Sequence, residues 1–519
     1  MFRDSRRAAL GARLLVWFIR SITPLSIIYC CLSWIPYYRS NHWVPFVAGF
    51  WAFIEAGFFL FVYLPLYCYL QRPAVHPAPG NLEERRALFQ KCIETIPDME
   101  HFVSLWNRGI PAPDVHQENM KEWLCWGFLN KDSWNVVENE ELEDYVRRIE
   151  DRLGYTLPKG RGPSKSMRVS LDWVNMSHRP LLYYCGVGLF DLINHYVLKN
   201  CGYEHYTVSS WCLSFPLRPQ TFFSKHRSPS KHFSYWYRPH KSPDRLPILF
   251  IHGIGLMFSF SPFFHDFAEF TKESHSIDSG IGVIAIENLP ISFRITHPAL
   301  LQEELCNEIL SILEYHSWPK FALMSASYGT VVTSQLLRDS RIAPRIGPMI
   351  LIDPIPFLLH LPDTCYNFTR RQPRTASEIF LYYFASMDMC TAHTLSRRFF
   401  WNEVILWKED ILNSDRRVTV ILSERDIIFD SATVGAYLTN GRTSESSNNS
   451  EIWQQRWWSG GELDILWFKD IDHGEILNDS DDRKILVDIA LNYCRGESAP
   501  VARRRSIDGI MPIESDDEA

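Results

Sequence analysis

The hydrophobic pattern changes period twice along the chain. Leu14–Pro36 is almost wholly apolar, broken by Arg20 and a few small polar residues, and Trp43–Leu70 repeats the pattern with Glu55 as its only charged residue. Each run exceeds the roughly 20 residues that a helix needs to cross a hydrocarbon core. From residue 81 helical spacing takes over. Asn81-Leu82-Glu83-Glu84 reads as a helix start, Leu88, Cys92, Ile93 and Ile96 recur on one face, and Glu140–Leu153 is a charged helix with an apolar stripe. Leu181–Leu198 has the apolar content of a third span, but Asp191, Asn194 and His195 interrupt it, which predicts a buried or membrane-lying helix. Strand signals begin near Tyr206. His232–Tyr237 alternates, and short apolar runs follow at Leu246–His252, Gly282–Glu287, Phe321–Met324, Pro348–Ile352, Arg417–Leu422 and Leu463–Phe468, separated by helical stretches. This alternation predicts an α/β fold, a mostly parallel sheet covered on both faces. Functional residues then gather at the carboxyl ends of the strands.

The expected domain order is a membrane anchor over 1–72 (spans about 14–36 and 43–70), a linker and helical region over 73–200, an α/β domain over 201–496, and a disordered tail over 497–519. Pro73, Pro77 and Pro79 stiffen the linker. Arg442–Ser450 is a polar low-complexity loop, and the tail is polar with an acidic end. Arg3, Arg6, Arg7 and Arg13 precede the first span, Arg72, Arg85 and Arg86 follow the second, and the loop between holds only Arg39 and His42. Positive flanks mark the cytoplasmic side, so a two-span hairpin with both ends in the cytoplasm is expected, on the endoplasmic reticulum or a lipid droplet, rather than a cleaved signal peptide. The N-x-[ST] triplets at Asn175, Asn367, Asn448 and Asn478 then escape glycosylation. Arg20 is expected to snorkel to the interface, and Glu55 to find its partners inside the hairpin.

Composition narrows the function. A length of 519 residues allows about three domains. The net charge is -7 and no basic run is interleaved with aromatics, so nucleic acid is not an expected partner. The twelve cysteines form no C-x-x-C pair, which argues against a zinc site or a disulfide framework and fits a reducing compartment. No cofactor or metal is implied.

Four constellations at strand ends carry chemistry. Phe321–Met324 runs into Ser325-Ala326-Ser327-Tyr328-Gly329, and a helix pattern follows from Val331. A serine on a sharp strand-to-helix turn is held exposed for nucleophilic attack. Upstream, Ile251-His252-Gly253-Ile254-Gly255 lets backbone amides face a cavity, as an oxyanion requires. Downstream come an acid just beyond a strand, Asp426 in Ser423-Glu424-Arg425-Asp426, and a histidine after the last strand, His473 in Asp470-Ile471-Asp472-His473-Gly474.

In this order the constellations resemble the α/β-hydrolase superfamily, over about Tyr206 to Cys494. The resemblance implies Ser327 as nucleophile, His473 as general base and Asp426 as the acid that orients it, with the amides of Ile254 and Tyr328 as the oxyanion hole. Two positions depart from the family pattern: Ser325 replaces the first glycine of the elbow, and Ser423 replaces a glycine before the acid. Serine at the elbow argues against the epoxide-hydrolase branch. Asp353, in Ile352-Asp353-Pro354, is the rival acid, Asp472 reads as a solvated loop residue, His252 as structural and Ser325 as packing. The aromatic-rich stretch of about 355–412 resembles the family's cap and suits an acyl chain. The expectation is a membrane-anchored serine hydrolase, lipase- or esterase-like, acting on a lipid or other hydrophobic ester. The alternatives are an acyltransferase, for which a His-x4-Asp pattern is lacking because Asn478 stands there, and a non-catalytic lipid-binding scaffold.

Overall fold

Among the described residues, an eleven-stranded sheet organises the C-terminal part of the molecule. The computed structural model describes residues 5–35, 46–208, 214–222, 224–273, 280–412, 416–439, 452–454, 457–495 and 513–514. The eight central strands are β1 (Glu204–Thr207), β2 (Ser234–Arg238), β3 (Ile248–Ile251), β4 (Val283–Glu287), β5 (Phe321–Ala326), β6 (Ile346–Ile352), β7 (Val418–Ser423) and β8 (Leu463–Phe468). They lie side by side in the order β1-β2-β4-β3-β5-β6-β7-β8. β2 is antiparallel to both neighbours, and every pair from β4 to β8 is parallel. This is the strand order of the α/β-hydrolase fold, as the sequence led us to expect. β3, β4, β5, β7 and β8 are buried at every position. Sheets covered on both faces need such continuous apolar runs, which is why those runs were legible.

Register aligns the strand ends. Ile251 pairs with Ser325, Ala326 with Ile352, and Ser423 with Phe468. The residues just beyond these pairs therefore emerge along one edge: His252 and Gly253, Ser327, Asp353, Asp426 and His473. Strands missed in the sequence lie at the periphery. Trp457–Gly460 pairs antiparallel with β8, His226–Arg227 pairs with β1, and Ser214–Phe215 with Ile295–Thr296 form a separate two-stranded sheet. Ile513–Glu514, within the stretch expected to be disordered, pairs parallel with Trp458–Ser459. The rest of the tail and the Arg442–Ser450 loop lie outside the described residues.

The helical region does not stand apart. Two of its helices start at capping boxes, Asn81 with Glu84 and Asn135 with Glu138, each side chain taking the other residue's backbone amide. Phe102, Trp123, Trp126 and Phe128 belong to one apolar cluster with β3, β5 and Phe357–Leu359. The helix Gln117–Leu129 is buried from Asn119 onward, so it lacks the polar face that makes a helix legible in a sequence.

Among the described residues, three helices have the length and apolarity to cross a membrane: α1 (Arg6–Ser33), the run α2 (Phe46–Leu70, with a π-turn at Phe59–Tyr63) and α3 (Leu181–Asn200). α1 and α2 pack on each other, with Tyr29 edge-on to Phe53. Their outer faces are apolar and open, Trp17 and Phe61 at 69% and 80% exposure. The intervening loop with Arg39 and His42 lies outside the described residues. Arg20 is exposed, its guanidinium 5.2 Å from the Tyr383 ring centre and hydrogen-bonded to Met387 Sδ. One expectation for this region needs correction. Among the described residues, Glu55 takes only Thr23 from within the hairpin. Its other contacts are His178 and the amide of Leu181.

Candidate active site

Ser327 sits one residue beyond β5, with φ +50°. Its amide donates to Ile352 O (2.8 Å), tying the turn to β6. The helix α4 (Gly329–Arg338) begins at once, so its N-terminal partial charge faces the serine. The turn demands close approach. A methyl group on Gly329 would stand 2.2 Å from Ile251 O, and one on Gly253 would stand 2.7 Å from Ser327 Cβ. Only glycine fits either position, which lets the loop after β3 lie against the serine. His252 holds that loop: its Nε2 accepts from the Asn288 amide (2.9 Å) and its Nδ1 bonds Gly253 O (2.6 Å). Among the described residues, the amides of Ile254 and Tyr328 have no acceptor, which leaves both donors free for an anion.

His473 Nε2 lies 2.7 Å from Ser327 Oγ, and its Nδ1 lies 2.5 Å from Asp426 Oδ2. The Asp426 side chain is wholly buried, and its Oδ1 accepts from the amides of Ile428 (2.7 Å) and Phe429 (3.2 Å). The structure thus brings Ser327, His473 and Asp426 into one chain of hydrogen bonds.

Asp353 is close by but differently employed. Its Oδ1 accepts from the Ser423 amide (2.9 Å), and its Oδ2 accepts from Ser423 Oγ (3.0 Å) and the Gly474 amide (2.7 Å). It therefore ties the turn after β7 to the loop carrying His473. Asp472 is not the solvated residue expected from sequence. It is half-buried, and its Oδ1 accepts from the amides of Ile427 (3.1 Å) and His473 (2.7 Å), because the two loops must meet where it lies. Ser325 is fully buried and accepts from Thr333 Oγ1 (2.8 Å), a packing role.

Three carboxylates set the charge of the imidazole. Burial alone depresses His473, but Asp426 first, then Asp353 and Asp472, outweigh it and raise its pKa to about 9. Burial raises Asp353 and Asp472 each to about 6. Asp353, Asp426 and His473 also offer donor atoms within 4.8 Å of one another, the geometry a metal would need. Those carboxylate oxygens already accept from Ser423, Gly474, Ile428 and Phe429, so the cluster is a satisfied hydrogen-bond network rather than an open ligand set.

A cavity opens on Ser327. The strand-end loops give it Ile254, Tyr328, Ile355 and Ile428, the stretch 355–412 gives Leu359, Thr364, Cys365, Phe368, Thr369, Leu395, Phe399 and Trp401, and the N-terminal helical region gives Trp106, Trp126 and Val169. The indole N–H groups are taken by protein: Trp106 donates to His360 O, Trp126 to Ser170 Oγ, and Trp401 to Gly127 O. The three rings therefore show the cavity only apolar surface. The contribution of Trp106, Trp126 and Val169 was not foreseen, and no local signal marks those residues.

No family model matches the chain, and no curated protein matches it. Among solved structures, it is similar to a membrane phospholipase A described as a bacterial virulence factor (10% identity, 61% of this chain and 94% of that one, TM-score 0.38). It is also similar to a carboxylesterase from Bacillus subtilis (9% identity, 60% and 99%, TM-score 0.34) and to a lipase from Acinetobacter baumannii AYE whose assignment is itself provisional (10% identity, 59% and 95%, TM-score 0.37).

Proposed function

We propose that this chain is a membrane-anchored serine hydrolase that cleaves a lipid or other hydrophobic ester through an acyl-enzyme. One observation carries the reading: a serine within hydrogen-bond reach of an aspartate-paired histidine lines a cavity walled almost wholly by apolar groups. In the first half-reaction Ser327 Oγ attacks the acyl carbon while His473 Nε2 takes its proton. The carbonyl oxygen becomes an oxyanion held by the amides of Ile254 and Tyr328. Asp426 fixes the Nδ1–H tautomer and stabilises the imidazolium, which then protonates the departing alcohol. In the second half-reaction His473 draws a proton from water, the water oxygen attacks the acyl carbon, and the carboxylic acid leaves as the proton returns to Ser327. The apolar walls suit an acyl chain, which offers no polar groups to satisfy. The apolar α1 and α2 form the anchor as a two-span hairpin, and the arginine flanks favour a cytoplasmic catalytic body.

The test is covalent. A fluorophosphonate probe should label the full-length protein, Ser327→Ala should abolish labelling, and Ser325→Ala should retain most of it. Equal loss from both variants, with both still folded, would overturn the assignment of Ser327.

A further inference from the structure

Between Trp173 and α3 the chain runs without helix alongside α2. At its start Trp173 Nε1 donates to Tyr67 Oη (3.1 Å), and Val174 exchanges bonds with the Gln71 side chain (2.9 and 3.0 Å). At its end His178 Nε2 lies 3.3 Å from Glu55, and the Leu181 amide donates to Glu55 at 2.8 Å. Gln71 and Glu55 are sixteen positions apart, so this stretch descends about 24 Å along α2 at 1.5 Å per residue. Glu55 lies nine positions from Phe46, about 14 Å from the other end of the run, and it also meets Thr23 in the interior of α1. If α1 and α2 span the bilayer, as proposed above and as this inference requires, the Glu55 site is inside the roughly 30 Å hydrocarbon core.

Non-helical backbone survives at that depth only where protein supplies its partners. Here protein does. The Ser177 amide donates to Met387 O (3.0 Å), and Asn175 Nδ2 donates to Tyr382 Oη (3.0 Å). The Arg179 guanidinium donates to the carbonyls of Ser177, His178 and Tyr383. α3 then starts at Glu55 and ends at the body, where Leu198 is buried in one core with β3 and β4 and the chain passes into β1. Its two faces differ. Asp191 pairs with Arg218 (3.0 Å) and with Arg294, all three buried, and Asn194 is buried too. On the other side Leu182, Leu189, Phe190, Leu192 and Ile193 are exposed, an apolar surface like those of α1 and α2.

We propose that residues 174–200 form a re-entrant element. The extended stretch enters the bilayer from the catalytic side and reaches just past its midplane at Glu55, and α3 returns to that same side. The exposed face of α3 is covered by lipid acyl chains, and α3 is not a third span. The bilayer is the fitting occupant because α3 begins against α2 at Glu55, at membrane depth, and its exposed face is apolar like those of the hairpin. The catalytic body is then partly sunk in the leaflet from which a lipid ester would come.

Photolabelling tests this without relying on catalysis. Full-length protein is reconstituted in dioleoyl phosphatidylcholine vesicles doped with a phosphatidylcholine carrying a diazirine in mid-chain, and adducts are mapped by mass spectrometry. Adducts are expected at Leu182, Leu189, Phe190 and Ile193 as well as on α1 and α2, with Asp191 and Asn194 spared. A labelled hairpin with an unlabelled α3, or no adducts at all, overturns the proposal. So does modification of Asn200→Cys and Ser133→Cys from opposite sides of the membrane by an impermeant maleimide, because a re-entrant α3 keeps both on one side. Fluorophosphonate labelling of the same sample separates the two readings: a labelled α3 with an unreactive Ser327 supports the re-entrant element and defeats the hydrolase.

Discussion

Replacing Asp426 by asparagine tests the hydrogen-bond chain at its most informative point. Asp426 Oδ1 accepts from two backbone amides, and Oδ2 faces His473 Nδ1. In Asp426→Asn the carbonyl oxygen must keep the amides of Ile428 and Phe429, since an NH2 group there would meet two donors. The NH2 group therefore faces His473, whose Nδ1 must become an acceptor. The ring proton moves to Nε2 and points at Ser327 Oγ, where no proton can then be taken. The loss of tautomer and charge together should lower turnover by about ten-thousand-fold, roughly 5 kcal/mol of barrier. The amide bonds survive, so the melting temperature should barely move. Asp353→Asn should behave oppositely. Its NH2 group must oppose either the Ser423 amide or the Gly474 amide, a buried mismatch costing about 1–3 kcal/mol of stability. Displacement of the His473 loop should cost turnover about 100-fold at most. Both variants are compared with the parent in hydrolysis of a chromogenic short-chain ester, in fluorophosphonate labelling rate and in thermal unfolding in detergent. If Asp353→Asn is the more damaging to turnover while both proteins fold, the acid has been misassigned and Asp426 is the structural residue.

His473 must be neutral to act as a base and its pKa is raised to about 9, so kcat/KM should climb from pH 7 toward 9, and Asp353→Asn, which removes one flanking charge, should move that limb to lower pH. A limb at or below the ordinary histidine value of about 6.5 would refute the proposed electrostatics. Gly253→Ala forces a methyl group to 2.7 Å from Ser327 Cβ, so it should cost about 1–3 kcal/mol of stability and most probe labelling, whereas Gly186→Ala, which meets nothing within 4 Å, should leave both unchanged. For topology, protease added to sealed microsomes should remove a C-terminal tag without detergent, and deglycosylation should not change mobility; a protected tag together with sugar on Asn175 would place the body in the lumen.

The sheet was legible because its strands are buried on both faces. β8 begins and ends where the apolar run does, and the others agree within a few residues. The elbow was legible because a strand, a serine and a following helix are local features. What remained hidden depends on long-range packing. The pairing of Glu55 with His178 and Leu181 spans more than a hundred residues and has no periodic trace. Trp106 and Trp126 look like ordinary core residues of a helical region, and only the fold turns them toward Ser327. Asp472 was misjudged because its bond from the Ile427 amide belongs to a meeting of loops that no spacing records.

The two serines that depart from the family pattern follow from the same geometry. The left-handed backbone of the elbow is taken by Ser327 itself, and Asp353 has a similar φ of +43°. Ser325 is still within β5, so glycine's backbone freedom is not needed there. What position 325 requires is a small side chain, and the Ser325 hydroxyl fits because Thr333 on α4 supplies a donor. Ser423 goes further. Its amide and its hydroxyl both donate to Asp353, whose second oxygen also takes the Gly474 amide. A glycine at 423 would leave that buried carboxylate one donor short. The departure at 423 therefore belongs with Asp353, and together they fix the acid-bearing turn to the histidine loop that must meet it across β7 and β8.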